Sequence, residues 1–421
     1  MPVVIIIYNI LYLSLLLVLI PFLLLGAVFI KKYRIGLLNR FGIIPSAFRK
    51  KAAGRENIWL HAASAGEVKC ILPLAEELKI KYPNAAIIFT TTGINGRRML
   101  EMTSKDLNAC FLPLDLYFLI KPLVKLINPK ILVIAETEYW PNLFYLAKKQ
   151  GAKIVVVNGR FSEKARKRYL SVAPVAKEVF ALTDVFAMRS REDAAFLLTL
   201  GVANEKIAVT GDLKYEKPFI DREKKEALAA ALGPVLKEKV IVFGSVHSGE
   251  AGEILKAFKL IRAEVSAITL ILAPRFLEEI SSFVSVIEAE GMSYTRRQTP
   301  GKEKVDIVIL DSFGELSYAY ELCSLAFVGG SLADGIGGHN LLEPLYHGKP
   351  VFFGPYAFNF KEMEEEVKIN LTGFLVKDGG DLAVKTVDLL KSPLMLQNIR
   401  KATIEFLEKQ KGSLSKTLEL I

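Results

Sequence analysis

The chain has 421 residues and a formal net charge of +10, enough length for two or three domains with sizeable cores. Its three cysteines, Cys70, Cys110 and Cys323, form no close-spaced pair, which excludes a disulfide framework and a zinc knuckle and fits a reducing compartment. The positive charge is not one long basic run, and no nucleic-acid partner is expected.

Val3 to Ile30 carries no charge and is long enough to cross a bilayer core. Asn9, Pro21 and Gly26 interrupt it, and a membrane helix tolerates them. A secretory signal would place basic residues before a shorter apolar core. Here they follow it: Lys31, Lys32, Arg34, Arg40, Arg49, Lys50, Lys51 and Arg55. The positive-inside rule then puts the rest of the chain in the cytoplasm, and the cluster is expected to meet an anionic membrane surface. The alternatives are a solvated basic linker and an apolar segment lying in one leaflet. The expected organisation is a membrane anchor over 1–30 and a basic juxtamembrane segment over 31–56. Deleting residues 1–30 is expected to leave a folded, soluble protein.

From residue 57 short apolar runs alternate with helical patterns. Ile58–Leu60, Ile87–Phe89, Ile131–Ala135, Ile154–Val157, Val185–Met188 and Ile207–Val209 read as strands, and the alternation argues a parallel α/β sheet. Residues 216–239 break the series with Pro218, a charge-dense helix and a Gly-Pro pair. The pattern restarts at Val240–Phe243, Thr269–Leu272, Ile307–Leu310, Leu325–Val328 and Val351–Phe353. No repeat of solenoid length appears. The expected fold is α/β, with two Rossmann-like doubly wound domains, 57–217 and 218–421, facing a cleft. The last helical stretch, Met395–Lys411, could pack on either.

Ligands of such sheets bind beyond the carboxyl ends of the strands, so the residues there are the candidates. His61 to Glu67, HAASAGE, follows the first strand; Glu67 is placed either to act as a general base or to complement a helix dipole. Glu136 to Asn142, ETEYWPN, follows another; if the strand runs through 138, both glutamates share a face and could bind a metal, catalyse or hold cations. Thr210 to Lys214, TGDLK, brings a lysine to a strand end, suited to developing negative charge. In the second half, Ala273-Pro274-Arg275 could fork onto a phosphate, and Asp311 to Glu315, DSFGE, ends the next strand. Gly244 to Glu250, GSVHSGE, is an anion-friendly turn. In Gly329 to Pro350, GGSLADGIGGHNLLEPLYHGKP, Asn340 can cap a helix whose free N–H groups suit a phosphate, with Glu343 placed for ribose hydroxyls. No G-x-G-x-x-G follows the first strand of either half, and no Walker lysine motif occurs, which counts against a dehydrogenase and a P-loop enzyme.

Together these motifs, with LPLD at 112–115, NGRFS at 158–162 and GGHNLLEP at 337–344, resemble the 3-deoxy-D-manno-octulosonic acid (Kdo) transferases of lipopolysaccharide assembly. The resemblance runs from the apolar segment nearly to the carboxyl end. It implies an inverting glycosyltransferase of the GT-B type at the cytoplasmic membrane. CMP-Kdo would be the donor substrate and a lipid A precursor the acceptor, with no cofactor and no metal. By motif, Glu67 is the expected base, and Glu136 and Lys214 stabilise the transition state. Pro274, Arg275, Phe313, Gly314, Glu315, Asn340, Leu341, Leu342 and Glu343 hold CMP. Two departures stand out: Phe276-Leu277 follows Arg275 where the family usually has His-Pro, and Phe313 replaces the usual methionine before Gly-Glu. The alternatives are another GT-B nucleotide-sugar transferase or epimerase, and a membrane-tethered nucleotide-sugar binding module.

Overall fold

The computed structural model describes residues 2–30, 34–103, 107–216 and 222–421. Lys31 and Lys32 of the basic cluster, and Pro218 at the expected domain break, lie outside the described residues. The chain forms two compact α/β units, Met1–Glu216 with Gln410–Ile421, and Lys217–Lys409.

The first unit contains β1 (Asn57–His61), β2 (Ala86–Thr91), β3 (Asn108–Phe111), β4 (Pro129–Ala135), β5 (Lys153–Gly159), β6 (Val185–Met188) and β7 (Ile207–Val209). They form one sheet in the order β3-β2-β1-β4-β5-β6-β7, with parallel pairing throughout the described residues. The apolar runs are continuous because helices cover both faces, yet the two-residue period still sorts them. Trp59, Leu132, Ile154 and Val156 face one core, while Ile58, Leu60, Ile131, Val133 and Val155 face the other.

The second unit repeats the plan with β8 (Lys239–Val246), β9 (Ile268–Pro274), β10 (Tyr294–Arg296), β11 (Ile307–Ile309), β12 (Leu325–Val328), β13 (Val351–Phe353) and β14 (Gly373–Leu375). The order is β10-β11-β9-β8-β12-β13-β14, again with parallel pairs. Ile241 and Phe243 of β8 pack into one core, and Val240 and Val242 into the other. Truncating a fully buried ring such as Phe327 to alanine costs about 3–5 kcal/mol. Two Rossmann-like units are thus present, as expected.

Two differences from the sequence reading concern boundaries. The carboxyl-terminal residues Gln410–Ile421 belong to the first unit, not to the expected 218–421 domain. Polar ties and an apolar end hold them there: Ser413 Oγ and Leu414 N donate to Glu216 Oε1 at 2.8 and 3.0 Å, Lys153 Nζ donates to Leu420 O at 2.8 Å, and Ile421 is buried. The preceding helix, Pro393–Gln410, anchors Ile399 in the second unit's core. The basic segment is also no free linker. Its helix Ser46–Ala52 buries Phe48 and Ala52 in the first unit's core and leaves Arg49, Lys50 and Lys51 exposed.

Val3–Phe29 is one continuous helix, long and apolar enough over Val3–Ile20 to cross a membrane. That length and composition are consistent with a single membrane anchor.

Candidate active site

Both sheets have a topological switch, where successive connections leave toward opposite edges and open a crevice. In the first sheet it lies between β1 and β4, in the second between β8 and β12. HAASAGE follows β1 and ETEYWPN follows β4. GSVHSGE spans the end of β8, and the glycine-rich stretch from Gly329 follows β12. Each unit therefore places two of its motifs at its own switch point.

Glu67 lies in the first turn of the helix Ala65–Lys81, where Ser64 caps the helix by accepting from Glu67 N at 3.2 Å. The Glu67 carboxylate reaches back over that cap. Oε1 accepts from Ser64 Oγ at 2.9 Å and Oε2 from Ala63 N at 2.7 Å. Burial pushes its pKa above the ordinary carboxylate value, and the negative charges of Glu136 and Glu138 add to that, against the lowering effect of the Ala63 and Ser64 bonds. The helix-cap geometry and the raised proton affinity coexist in one side chain.

Strand β4 ends at Ala135, so Glu136 and Glu138 do not share a strand face as the extended-strand reading required. Glu136 turns into the left-handed region, with φ +55°, and is almost fully buried. Arg160 Nε donates to its Oε2 at 2.7 Å, and Lys214 Nζ lies 3.6 Å from Oε1. Glu138 accepts instead from Trp140 Nε1 at 3.0 Å and lies 3.8 Å from His61 Nε2. The two carboxylates hold cations and ring donors separately.

Lys214 is placed by a short 3₁₀ turn, Leu213–Tyr215, which Asp212 caps by accepting from Lys214 N at 2.9 Å. Asn158, fully buried at the end of β5 with φ +54°, accepts from Leu213 N at 2.9 Å. Motifs more than fifty residues apart are thereby locked together. Nothing in NGRFS as a sequence assigns a role to Asn158 or Arg160, yet Asn158 holds the turn and Arg160 binds the Glu136 carboxylate.

In the second unit the anion-friendly turns already hold an anion, the buried carboxylate of Glu250. Its Oε2 accepts from Gly330 N at 2.7 Å and His247 N at 3.0 Å; Oε1 accepts from Ser331 N at 3.0 Å and Leu332 N at 2.9 Å. Gly330 needs to be glycine: its φ is +72°, and a Cβ there would sit 2.9 Å from the His339 ring. The loop carries His339 onto His247, with Nε2 atoms 2.8 Å apart, so one imidazole donates and the other accepts. Burial pushes the His339 pKa down to about 4, helped by Arg275 and His247.

The expected nucleotide-binding residues sort by what they can offer. Arg275 is exposed just past β9, its guanidinium 5.9 Å from the Phe276 ring centre. Phe276 stands edge-on to His247 at 5.6 Å, so the aromatic residue after Arg275 fills the place beside that imidazole. Pro274 ends β9. The Glu315 carboxylate is committed to Arg297 Nη2, 2.9 Å away, and to Ser312 Oγ. Phe313 itself is exposed. The helix expected after Asn340 is a single turn, Leu342–Leu345; Asn340 Oδ1 accepts from Leu342 N at 3.1 Å. Leu341 and Leu342 are core residues, and within that quartet only the Asn340 and Glu343 side chains are not fully buried. Among the described residues no three His, Cys, Asp or Glu side chains come together as a metal ligand set.

A family model described as 3-Deoxy-D-manno-octulosonic-acid transferase (kdotransferase) matches residues 36–217. The chain is 31% identical over 419 residues to the 3-deoxy-D-manno-octulosonic acid transferase of Haemophilus influenzae, covering 97% of each. It is 33% identical over 355 residues to that of Aquifex aeolicus, covering 84% of this chain and 90% of that protein. Among solved structures it resembles UDP-GlcNAc 2-epimerase from Neisseria meningitidis bound to UDP-GlcNAc, with a TM-score of 0.57, 12% identity, and coverage of 87% of this chain and 100% of that one. At that identity the likeness shows a shared fold alone. Relatedness over almost the whole length, together with the motifs at both switch points, means that the chain belongs to the 3-deoxy-D-manno-octulosonic acid (Kdo) transferase family.

Proposed function

We propose that the protein transfers Kdo from CMP-Kdo to a hydroxyl of a lipid A precursor, with inversion, in lipopolysaccharide assembly. Family membership over nearly the full chain carries this reading. Glu67 takes the proton of the acceptor hydroxyl, whose oxygen bonds to the anomeric carbon of Kdo as the bond to the CMP phosphate breaks. A carboxylate has about four lone-pair sites, so the bonds from Ser64 and Ala63 leave room for that proton. Its raised proton affinity brings it closer to the working range of a general base. Glu136 offers negative charge to the developing oxocarbenium ion, and Lys214 positive charge to an anionic partner.

CMP is held by Pro274-Arg275, by backbone groups of Phe313-Gly314-Glu315, and by the Asn340–Glu343 quartet. The exposure of Arg275 and the turn built by Asn340 support that division. The Val3–Phe29 helix attaches the enzyme to the cytoplasmic membrane, with both α/β units in the cytoplasm. The test is incubation of the membrane-bound protein with CMP-Kdo and a lipid A precursor, followed by mass spectrometry of the lipid. Addition of Kdo to the lipid, with CMP release, is expected. CMP-Kdo consumption without a glycosylated lipid, or binding without turnover, overturns the reading.

A further inference from the structure

Asn9 is the one amide side chain in the helix Val3–Phe29, and it is fully engaged with the first unit. Its Nδ2 donates to Asn142 Oδ1 at 2.8 Å, and its Oδ1 accepts from Asn142 Nδ2 at 3.1 Å, a reciprocal amide pair. Oδ1 also accepts from Tyr117 N at 3.0 Å, and Nδ2 donates to Ile5 O at 2.7 Å. Asn142 is fully buried. Beside it the buried Asp115 accepts from Asn142 N at 2.9 Å, from Leu143 N at 3.0 Å and from the Tyr8 hydroxyl. Those two N–H groups open the helix Pro141–Lys149, whose own N-cap residue, Trp140, provides no side-chain cap. Tyr8 and Asn9 thus complete a buried polar cluster that caps the helix just beyond the Glu136–Trp140 loop.

The helix packs in keeping with this contact. Ile5 and Leu16, on the Asn9 side, are buried, while Ile7, Ile10, Leu11 and Val18 are exposed. Shortly after the helix the chain is again held by the same unit: Arg40 donates to Thr92 O, and Leu114 N donates to Arg40 O at 2.9 Å. A helix crossing a hydrocarbon core of about 30 Å would set its two ends on opposite sides and draw Asn9 away from Asn142. An amide left in lipid without partners would also be costly.

We infer that Val3–Phe29 lies in the leaflet on which the first unit sits, keyed to that unit by Asn9, with its apolar outer face toward the acyl chains. The exposed Arg49, Lys50 and Lys51 suit the anionic head groups of the same leaflet. Deleting residues 1–30 then strips a buried cluster of partners rather than simply freeing a tether. The inference is independent of the transfer reaction.

Two measurements on the full-length protein in sealed vesicles test it. The three native cysteines are buried, so a membrane-impermeant maleimide reports on introduced ones. Val3→Cys and Lys50→Cys, both at exposed positions, are expected to react from the same side of the membrane. Reaction from opposite sides overturns the inference. The second measurement is hydrogen exchange at Tyr117, Asn142 and Leu143. Asn9→Leu keeps the helix apolar and membrane-bound, and exchange there is expected to rise about tenfold or more; Ser14→Leu, at an exposed position, leaves it unchanged. Unchanged exchange in Asn9→Leu removes the key. Should Asn9→Leu fail to fold, Tyr8→Phe removes one donor to Asp115: a smaller rise at Asn142 and Leu143 is expected, and no rise overturns the contact.

Discussion

Arg160 Nε donates to Glu136 Oε2 at 2.7 Å, and Glu136 makes that contact with its backbone at φ +55°. A non-glycine residue in this region carries strain of about 1–3 kcal/mol. Here the carboxylate is turned off the strand direction toward Arg160 and Lys214. Arg160→Met keeps much of the packing and leaves the buried carboxylate with Lys214 alone. The expected stability loss is about 1.5–3 kcal/mol, the worth of a hydrogen bond to a charged group, with transfer falling as well. Denaturant titration and turnover on one preparation check both; an unchanged midpoint would mean that water replaces the guanidinium.

Glu250 organises the loop after β12 as a surrogate anion, so its charge matters more than its size. Glu250→Gln keeps one acceptor oxygen and replaces the other with a donor aimed at backbone N–H groups. A loss of about 2 kcal/mol or more is expected, since each stranded buried donor costs about 1–3 kcal/mol, and CMP affinity should fall with the loosened Gly330–Leu332 loop. Thermal melting and calorimetric CMP titration measure the two effects. Full stability in the variant would show that the loop holds its shape without the carboxylate.

The architecture was readable because buried parallel strands are apolar throughout, and the candidate residues were picked at strand ends because such sheets gather ligands there. The strands missed were Asn108–Phe111, Tyr294–Arg296 and Gly373–Leu375, each at a sheet edge. Edge strands are short and paired on one side, so they lack a long apolar run. The pairings were not readable at all. Nothing local to Arg160 announces Glu136, and nothing in GSVHSGE says that its own glutamate fills the turns. Asn9 looked like a tolerated blemish in a membrane helix because its partner lies 133 residues away.

The proposed nucleotide site makes a side-chain and a backbone expectation that can be separated. Arg275→Ala should weaken CMP by about 1.5–3 kcal/mol through lost charge-assisted bonds. Phe313→Ala should leave CMP affinity close to wild type, because its loop is assigned backbone contacts. Calorimetry with both variants checks this. Wild-type affinity in Arg275→Ala would move the phosphate site elsewhere, and a large loss in Phe313→Ala would assign that ring a direct contact.

Glu67 titrates in the field of Glu136 and Glu138. Negative neighbours disfavour a further negative charge and so hold its pKa up; removing one lets it ionise at lower pH. Glu138→Gln should therefore move the acid limb of kcat/KM to lower pH. The burial contribution, which is the largest, should keep that limb above the usual glutamate value of about 4.3. A pH–rate profile of both proteins provides the measurement. An upward shift, or none, would separate the limb from Glu67.

Glu67 itself carries two roles that single variants can pull apart. Glu67→Gln retains an oxygen to accept from Ala63 N and a tip of the same size, but it loses proton affinity. Folding, CMP binding and membrane attachment should persist, with stability lowered by about 0.3–1 kcal/mol through the lost charge at the helix start. Transfer should fall about 10²–10⁴-fold, the usual worth of a positioned base. Ser64→Ala does the reverse. It removes the N-cap at a cost of about 0.5–2 kcal/mol and one hydrogen bond to the carboxylate, and it leaves the base in place with a pKa raised further, since the Ser64 bond lowers it. Its transfer rate should stay within about tenfold of wild type, the reach of a single hydrogen bond, while its melting temperature drops more than that of Glu67→Gln. If Glu67→Gln turns over near normally and loses only stability, the side chain is a cap, and the proton goes to another carboxylate, with Glu136 the next to test.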